Sequence, residues 1–196
     1  MVSDMSEAEI PLASERLQTL THALAQTREF VAVEQALRAR KPATLEGVWG
    51  SGAALLAGTL VDAAPAPVVV ICAQVAEVDE LCADIALMST HQAWRFPAWE
   101  AEPSERLIHD EIFCDRLRTL KQLASLASGT ATVRAPLVVT SIQSLLQPVP
   151  APQKLAESSR RIRVGDRLEL PELLRWLVEH RFHGTSAVEL PGEFSH

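Results

Sequence analysis

Two apolar, β-branched runs, Val68-Val69-Val70-Ile71 and Leu137-Val138-Val139-Thr140, constrain the fold of this chain more than any other feature. Neither alternates apolar with polar residues, as a strand with one wet face would. The first reads as a strand buried on both faces of a parallel sheet, and the second as another apolar strand. Between them, Val78, Leu81, Ile85 and Leu87 interleave with acidic residues from Ala76 to Met88, the pattern of a helix. A short strand candidate follows at Ala93 to Phe96, then a loop through Glu100. Ser104 offers an N-cap after Pro103, and the helix from there carries Leu107, Ile108, Ile112, Leu117, Leu120 and Leu123 on one face. Ser141 starts a short helix through Leu146. Strands alternating with helices in this way imply a three-layer α/β domain with a parallel sheet.

The flanks have a different character. Leu12 to Arg40 is helical in composition and is expected to stop at Pro42; a short strand is expected from Thr44 to Trp49 and a helix from Ser51 to Val61. Pro148 to Pro152 contains three prolines and reads as a linker. Beyond it come a basic strand at Arg160 to Val164, a turn at Gly165-Asp166, a helix from about Pro171 to Arg181 and a strand from Thr185 to Leu190. Leu170, Leu173, Leu174 and Leu177 form the expected buried stripe of that helix. The resulting division is a helical arm (1–42), an α/β domain (43–147), a linker (148–153) and part of a small α+β domain (154–196), which has too few elements to close a core.

With 47% hydrophobic residues the chain has ample material for a core, yet no apolar run reaches the roughly 18–20 residues of a membrane span. Asp4, Glu7 and Glu9 occupy the place of a basic signal-peptide region. Cys72, Cys82 and Cys114 form no CxxC pair, as expected of reduced thiols in a cytoplasmic protein. Residues 1–110 hold 7 basic and 16 acidic side chains, whereas 111–196 hold 11 and 9. So acidic a first half is a poor match for a phosphodiester backbone, and no direct DNA binding is expected. The cluster Lys154, Arg160, Arg161, Arg163 and Arg167 reads either as a solvated face or as a docking surface.

Gly47-Val48-Trp49-Gly50-Ser51-Gly52-Ala53-Ala54 has the glycine spacing of a phosphate-binding loop and none of its charge. A Walker A loop requires Gly at its first and sixth positions, then Lys for the β/γ-phosphates and Ser or Thr for Mg²⁺. Gly47 and Gly52 keep the spacing, and Gly50 and Ser51 favour a turn, but Ala53 and Ala54 stand at the two chemical positions. No apolar strand ends in the Asp-Glu of a Walker B element; Asp110-Glu111 lies within a predicted helix. His180 and His183 lack partners at zinc spacing, and no G-x-S-x-G nucleophile turn occurs. No cofactor, no metal and no catalytic residue is therefore expected.

Four stretches, in order, resemble the N-terminal region of bacterial transcription-repair coupling factors, the module related to the excision-repair subunit UvrB. They are the loop Gly47 to Gly52 with the strand Val68 to Cys72; Phe96-Pro97-Ala98-Trp99-Glu100, followed by Asp115-Arg116-Leu117; Leu137 to Leu146; and Val164-Gly165-Asp166-Arg167-Leu168 with Pro191-Gly192-Glu193-Phe194-Ser195. The resemblance implies a P-loop, helicase-like parallel-sheet domain with a degenerate Walker A, preceded by the helical arm and followed by part of a small UvrA-interaction domain. It implies a non-catalytic module linking stalled transcription to nucleotide excision repair, in a parent that would be an ATP-dependent DNA translocase. Its partners would be UvrA and other domains of the parent, with Arg160, Arg161, Arg163, Arg167, Glu193 and Phe194 as docking or supporting residues. Because the chain stops at His196, inside the expected interaction domain, its grip on UvrA is expected to be weak or absent. The alternatives are a UvrB-type fragment, disfavoured by the lack of any tyrosine, and a P-loop ATPase with a nonstandard lysine.

Overall fold

A computed structural model describes residues 17–99, 110–129, 136–189 and 192–195. The expected arm is two helices, α1 (residues 17–25) and α2 (Arg28–Arg38). Thr27 divides them: its hydroxyl accepts the Phe30 N–H (3.3 Å) as the N-cap of α2. Pro42 does not end α2. Arg40 adopts a left-handed φ of 57°, and the Arg40 and Lys41 N–H groups return to the carbonyls of Leu37 and Ala36, closing a Schellman cap.

Residues 44–49 form no strand. Exposed Glu46 and the left-handed Gly47 (φ 76°) interrupt the extended run before it can pair. The next elements are α3 (Ser51–Ala63), β1 (Val68–Cys72), α4 (Ala76–Met88), β2 (Ala93–Phe96), α5 (Asp110–Ala127), β3 (Leu137–Ser141) and α6 (Ile142–Leu146). All three strands are parallel in the order β1-β3-β2, with Val68 and Ala93 both opposite Leu137. The expected parallel α/β domain is therefore present, with β3 at its centre. Every residue of β3 is buried.

One face of the sheet meets α3 and α4. Ala54, Ala57 and Val61 pack with Val78, Leu81 and Ile85 over Cys72, Leu137 and Val139. On the opposite face α5 covers β2, where the Arg116 guanidinium sits 4.3 Å over the Phe96 ring. Arg95 ties the layers at the sheet edge through Asp79 of α4 (2.7 Å) and Asp115 of α5 (2.8 Å). The expectation that β1 is buried on both faces fails. Val69 and Ile71 are 51% and 52% exposed, because β1 is an edge strand and α5 lies over β2.

Beyond the Pro-rich stretch come α7 (Pro152–Glu157), α8 (Leu170–Glu179), β4 (His183–Gly184) and β5 (Glu193–Phe194). The expected strand at 160–164 is absent. Its residues enter a turn in which Arg163 N–H donates to the Asp166 carboxylate (2.7 Å) and Asp166 N–H to the Arg163 carbonyl (3.1 Å). Residues 185–189, the described part of the strand expected at 185–190, likewise form none. Pairing falls two residues earlier, where His183 and Gly184 run parallel to Glu193 and Phe194. The leucine stripe of α8 is half-buried, and Leu170 is 55% exposed. The Ser104 cap and the start of its helix lie outside the described residues, as do Leu190 and Pro191.

Candidate functional site

The glycine loop forms the curl that its spacing predicts. Gly47 and Gly50 both take left-handed φ values (76° and 53°), and Gly50 caps α3, which starts at Ser51. The N–H groups do not converge on empty space, however. Gly52 N–H donates to Trp49 O (3.1 Å) and Ala53 N–H to Gly50 O (3.0 Å), so both donors are spent inside the turn. The strand that precedes a phosphate loop is missing. Ala54 is fully buried in the core and Ala53 packs against it, so the two positions that carry phosphate chemistry elsewhere serve packing here. Trp49, at the crest, is 83% exposed.

No other group supplies the missing charge at that turn. The strands β1 and β3 end in Cys72 and Ser141, and Asp110-Glu111 opens α5 rather than closing a strand. Among the described residues no group of three His, Cys, Asp or Glu stands close enough to hold a metal ion. His180 is occupied structurally: its ring stacks on Trp176 at 4.0 Å, with Nδ1 2.8 Å from the Trp176 carbonyl. His183 is exposed on β4. Burial raises the Cys72 thiol pKa, with Glu77 adding to it; burial, then Asp79, raises that of Cys82 to about 11. Neither thiol is poised as a nucleophile.

Three of the sequence stretches singled out above meet at one buried joint. Arg116, 2% exposed, donates from Nη1 to Pro97 O and to Ser144 Oγ, both at 2.6 Å. The Ser144 hydroxyl donates to the same carbonyl (2.8 Å), and Ser144 N–H donates to Ser141 Oγ (3.2 Å). Thr140 Oγ1 donates to Phe96 O (2.8 Å). The Gln147 amide clamps Trp99 from both sides, accepting its N–H (2.7 Å) and donating to its carbonyl (3.0 Å). Segment 96–99 is thereby held at the C-terminal ends of the strands by α5 and by the helix that follows β3. Among the described residues every acceptor that Arg116 meets is neutral. Burial lowers its pKa to about 10.

The docking residues inferred from sequence fall in three places. Arg160 and Arg161 line a groove of about 1260 Å³ between α5, the 147–150 stretch, α7 and α8. Arg163 lies in the turn closed by Asp166. Arg167 is 95% exposed, with Glu169 3.7 Å away. Glu193 accepts the Glu189 N–H (2.9 Å), and the Phe194 ring lies over Gly184. Of the six, Arg160 and Arg161 line the groove and the other four do not.

The groove and the burial of Arg116 are absent from the sequence reading. A signal was available: Arg116 stands four residues after Ile112 and four before Leu120, inside the apolar stripe of α5.

Fold and site together define a parallel α/β unit whose glycine turn before α3 carries no charge, followed by two short helices and a two-stranded parallel ladder. No family model matches the sequence. The transcription-repair-coupling factors of Mycobacterium bovis and Mycobacterium tuberculosis are each 31% identical over 130 residues, which is 66% of this chain and 10% of theirs. The chain is thus related to coupling factors over two-thirds of its residues and spans about a tenth of those relatives. Among the described residues no helix is long and apolar enough to cross a membrane.

Proposed function

We propose that this chain is a non-catalytic, UvrB-like interaction module of a cytoplasmic transcription-repair coupling factor. In this reading residues 43–147 are a helicase-like domain that has lost nucleotide binding, and residues 154–196 contribute to a contact with UvrA. The observation that carries it is the phosphate turn: Gly52 and Ala53 N–H bonded within the turn, and Ala54 committed to the core. Triphosphate binding rests on free N–H groups, a lysine and a metal-holding hydroxyl; here two of the N–H groups are bonded within the turn, and alanines stand at the lysine and hydroxyl positions. Relatedness to coupling factors supports the biological setting.

The contact with UvrA is weak in this reading, because the β4–β5 ladder is two residues long and its residues are only partly buried or exposed. Interferometry with immobilised UvrA tests it. The expected result is saturable binding of micromolar or weaker affinity, lost in an Arg163→Glu/Arg167→Glu variant. Tight binding, or binding indifferent to both arginines, refutes this reading of the UvrA contact. A micromolar site for ATP·Mg²⁺ in the unmodified chain refutes the loss of nucleotide binding.

A further inference from the structure

Two buried donors stand beside the groove between α5 and α8: among the described residues neither Arg116 Nη2 nor Trp99 Nε1 meets an acceptor. Both residues line the groove. A buried N–H left without a partner is destabilising, more so when it belongs to a charged group. A guanidinium withdrawn from water normally has a carboxylate beside it. Among the described residues Arg116 has a carbonyl, a hydroxyl and two aromatic faces, Phe96 at 4.3 Å and Trp99 at 5.5 Å, and no carboxylate.

The surroundings narrow what the groove can accept. Leu117, Leu120, Leu173 and Leu177 give the groove an apolar floor, and its volume of about 1260 Å³ exceeds the roughly 300–1000 Å³ typical of a small-molecule pocket. Its rim carries Lys121, Lys154, Arg160 and Arg161, all exposed. None of the four has an ion-pair partner among the described residues. An apolar trough edged with unpaired cations is complementary to a helix with one leucine-rich face flanked by carboxylates. A nucleic-acid backbone is a poorer match, since its phosphates have no use for a leucine floor.

We propose that this groove is a docking site for an acidic amphipathic helix of a partner polypeptide, one carboxylate of which pairs with Arg116 and the Trp99 indole while flanking carboxylates meet the rim. This site is separate from the UvrA contact proposed above. It shares Arg160 and Arg161 with that surface but depends on Arg116, Lys121 and Lys154, which the UvrA reading does not use.

The test uses the whole chain and a fluorescein-labelled helical peptide of about 18 residues, with Leu on one face and Glu flanking it. The same peptide with Gln for Glu, and with Lys for Glu, serves as comparison. Anisotropy titration is expected to show saturable binding of the Glu peptide, at least tenfold tighter than either comparison. Arg116→Met is expected to weaken it at least tenfold. Lys121→Glu/Lys154→Glu, confined to the exposed rim, weakens binding without disturbing the fold. Bound Glu peptide also slows alkylation of Cys114, which lines the groove. Equal affinity for the Glu and Gln peptides, full binding by the rim variant, or displacement of the peptide by duplex DNA overturns the proposal. Loss of the UvrA contact in Arg163→Glu/Arg167→Glu with peptide binding intact separates the two readings.

Discussion

Restoring the two missing Walker A residues, Ala53→Lys with Ala54→Thr, separates a site that lost only its charges from one whose backbone has also been reassigned. Ala54 is 0% exposed and belongs to the core cluster with Val61, Val78 and Ile85. Threonine adds a methyl and a hydroxyl there, and overpacking a filled site costs about 1–3 kcal/mol. The lower helix propensity of threonine adds about 0.5 kcal/mol. The hydroxyl can still reach the Gly50 carbonyl one turn back, so the steric part decides. Lysine at the half-buried position 53 can run its amine out to water at little cost. The sum is a loss of about 1.5–3.5 kcal/mol, which lowers the melting temperature of a domain this size by roughly 3–14 °C. Calorimetric titration with ATP·Mg²⁺ is expected to show no micromolar site, because the Gly52 and Ala53 N–H groups remain bonded to Trp49 O and Gly50 O. Ala53→Lys alone, at a half-buried position on the margin of the core, is expected to melt closer to the parent than the double variant does and also to bind no ATP. A micromolar ATP site in either variant, or an unchanged melting temperature in the double one, refutes the reasoning.

Ser144→Ala removes the hydroxyl that accepts from Arg116 and donates to Pro97 O, both inside the buried joint. It is expected to cost about 1–3 kcal/mol, read as a lower urea midpoint with unchanged slope. Arg40 sits at a left-handed φ of 57° in the cap of α2, so Arg40→Gly is expected to stabilise by up to about 1 kcal/mol, seen as a small rise in melting temperature. The Cys82 pKa, raised from 9.0 to about 11, favours the neutral thiol. At pH 8 its thiolate fraction falls about 100-fold below that of an unperturbed thiol, and its alkylation is expected to quicken about tenfold per pH unit up to pH 11. Peptide mapping after iodoacetamide treatment checks this; alkylation of Cys82 at pH 8 as fast as a free thiol contradicts it.

Elements whose signal is local were legible in the sequence. The limits of α4 and β2, and the Ser141 cap of the helix after β3, stand where the residue pattern puts them, because apolar period and a capping hydroxyl act within a few residues. The charge lost from the phosphate turn was equally plain, since Ala53 and Ala54 need no neighbours to be read. The failures are of two kinds. At 160–164 and 44–49, β-compatible residues stood beside Asp166 and Gly47, and a turn closed by one carboxylate or one left-handed glycine won over a strand with nothing to pair with.

The second kind depends on what covers a face. The run Val68 to Ile71 determines a strand, but only the order β1-β3-β2 puts that strand at an edge and leaves Val69 and Ile71 in water. Arg116 carries the same side chain in either state. Its position on the α5 stripe was readable, whereas its burial needed β2, the 96–99 segment and Ser144 to close over it from 19 to 28 residues away. Composition and periodicity specify which residues share a surface. Whether that surface meets another element, an unpaired cation or solvent is a property of the assembled layers, because burial and desolvation are set by neighbours that lie far off along the chain.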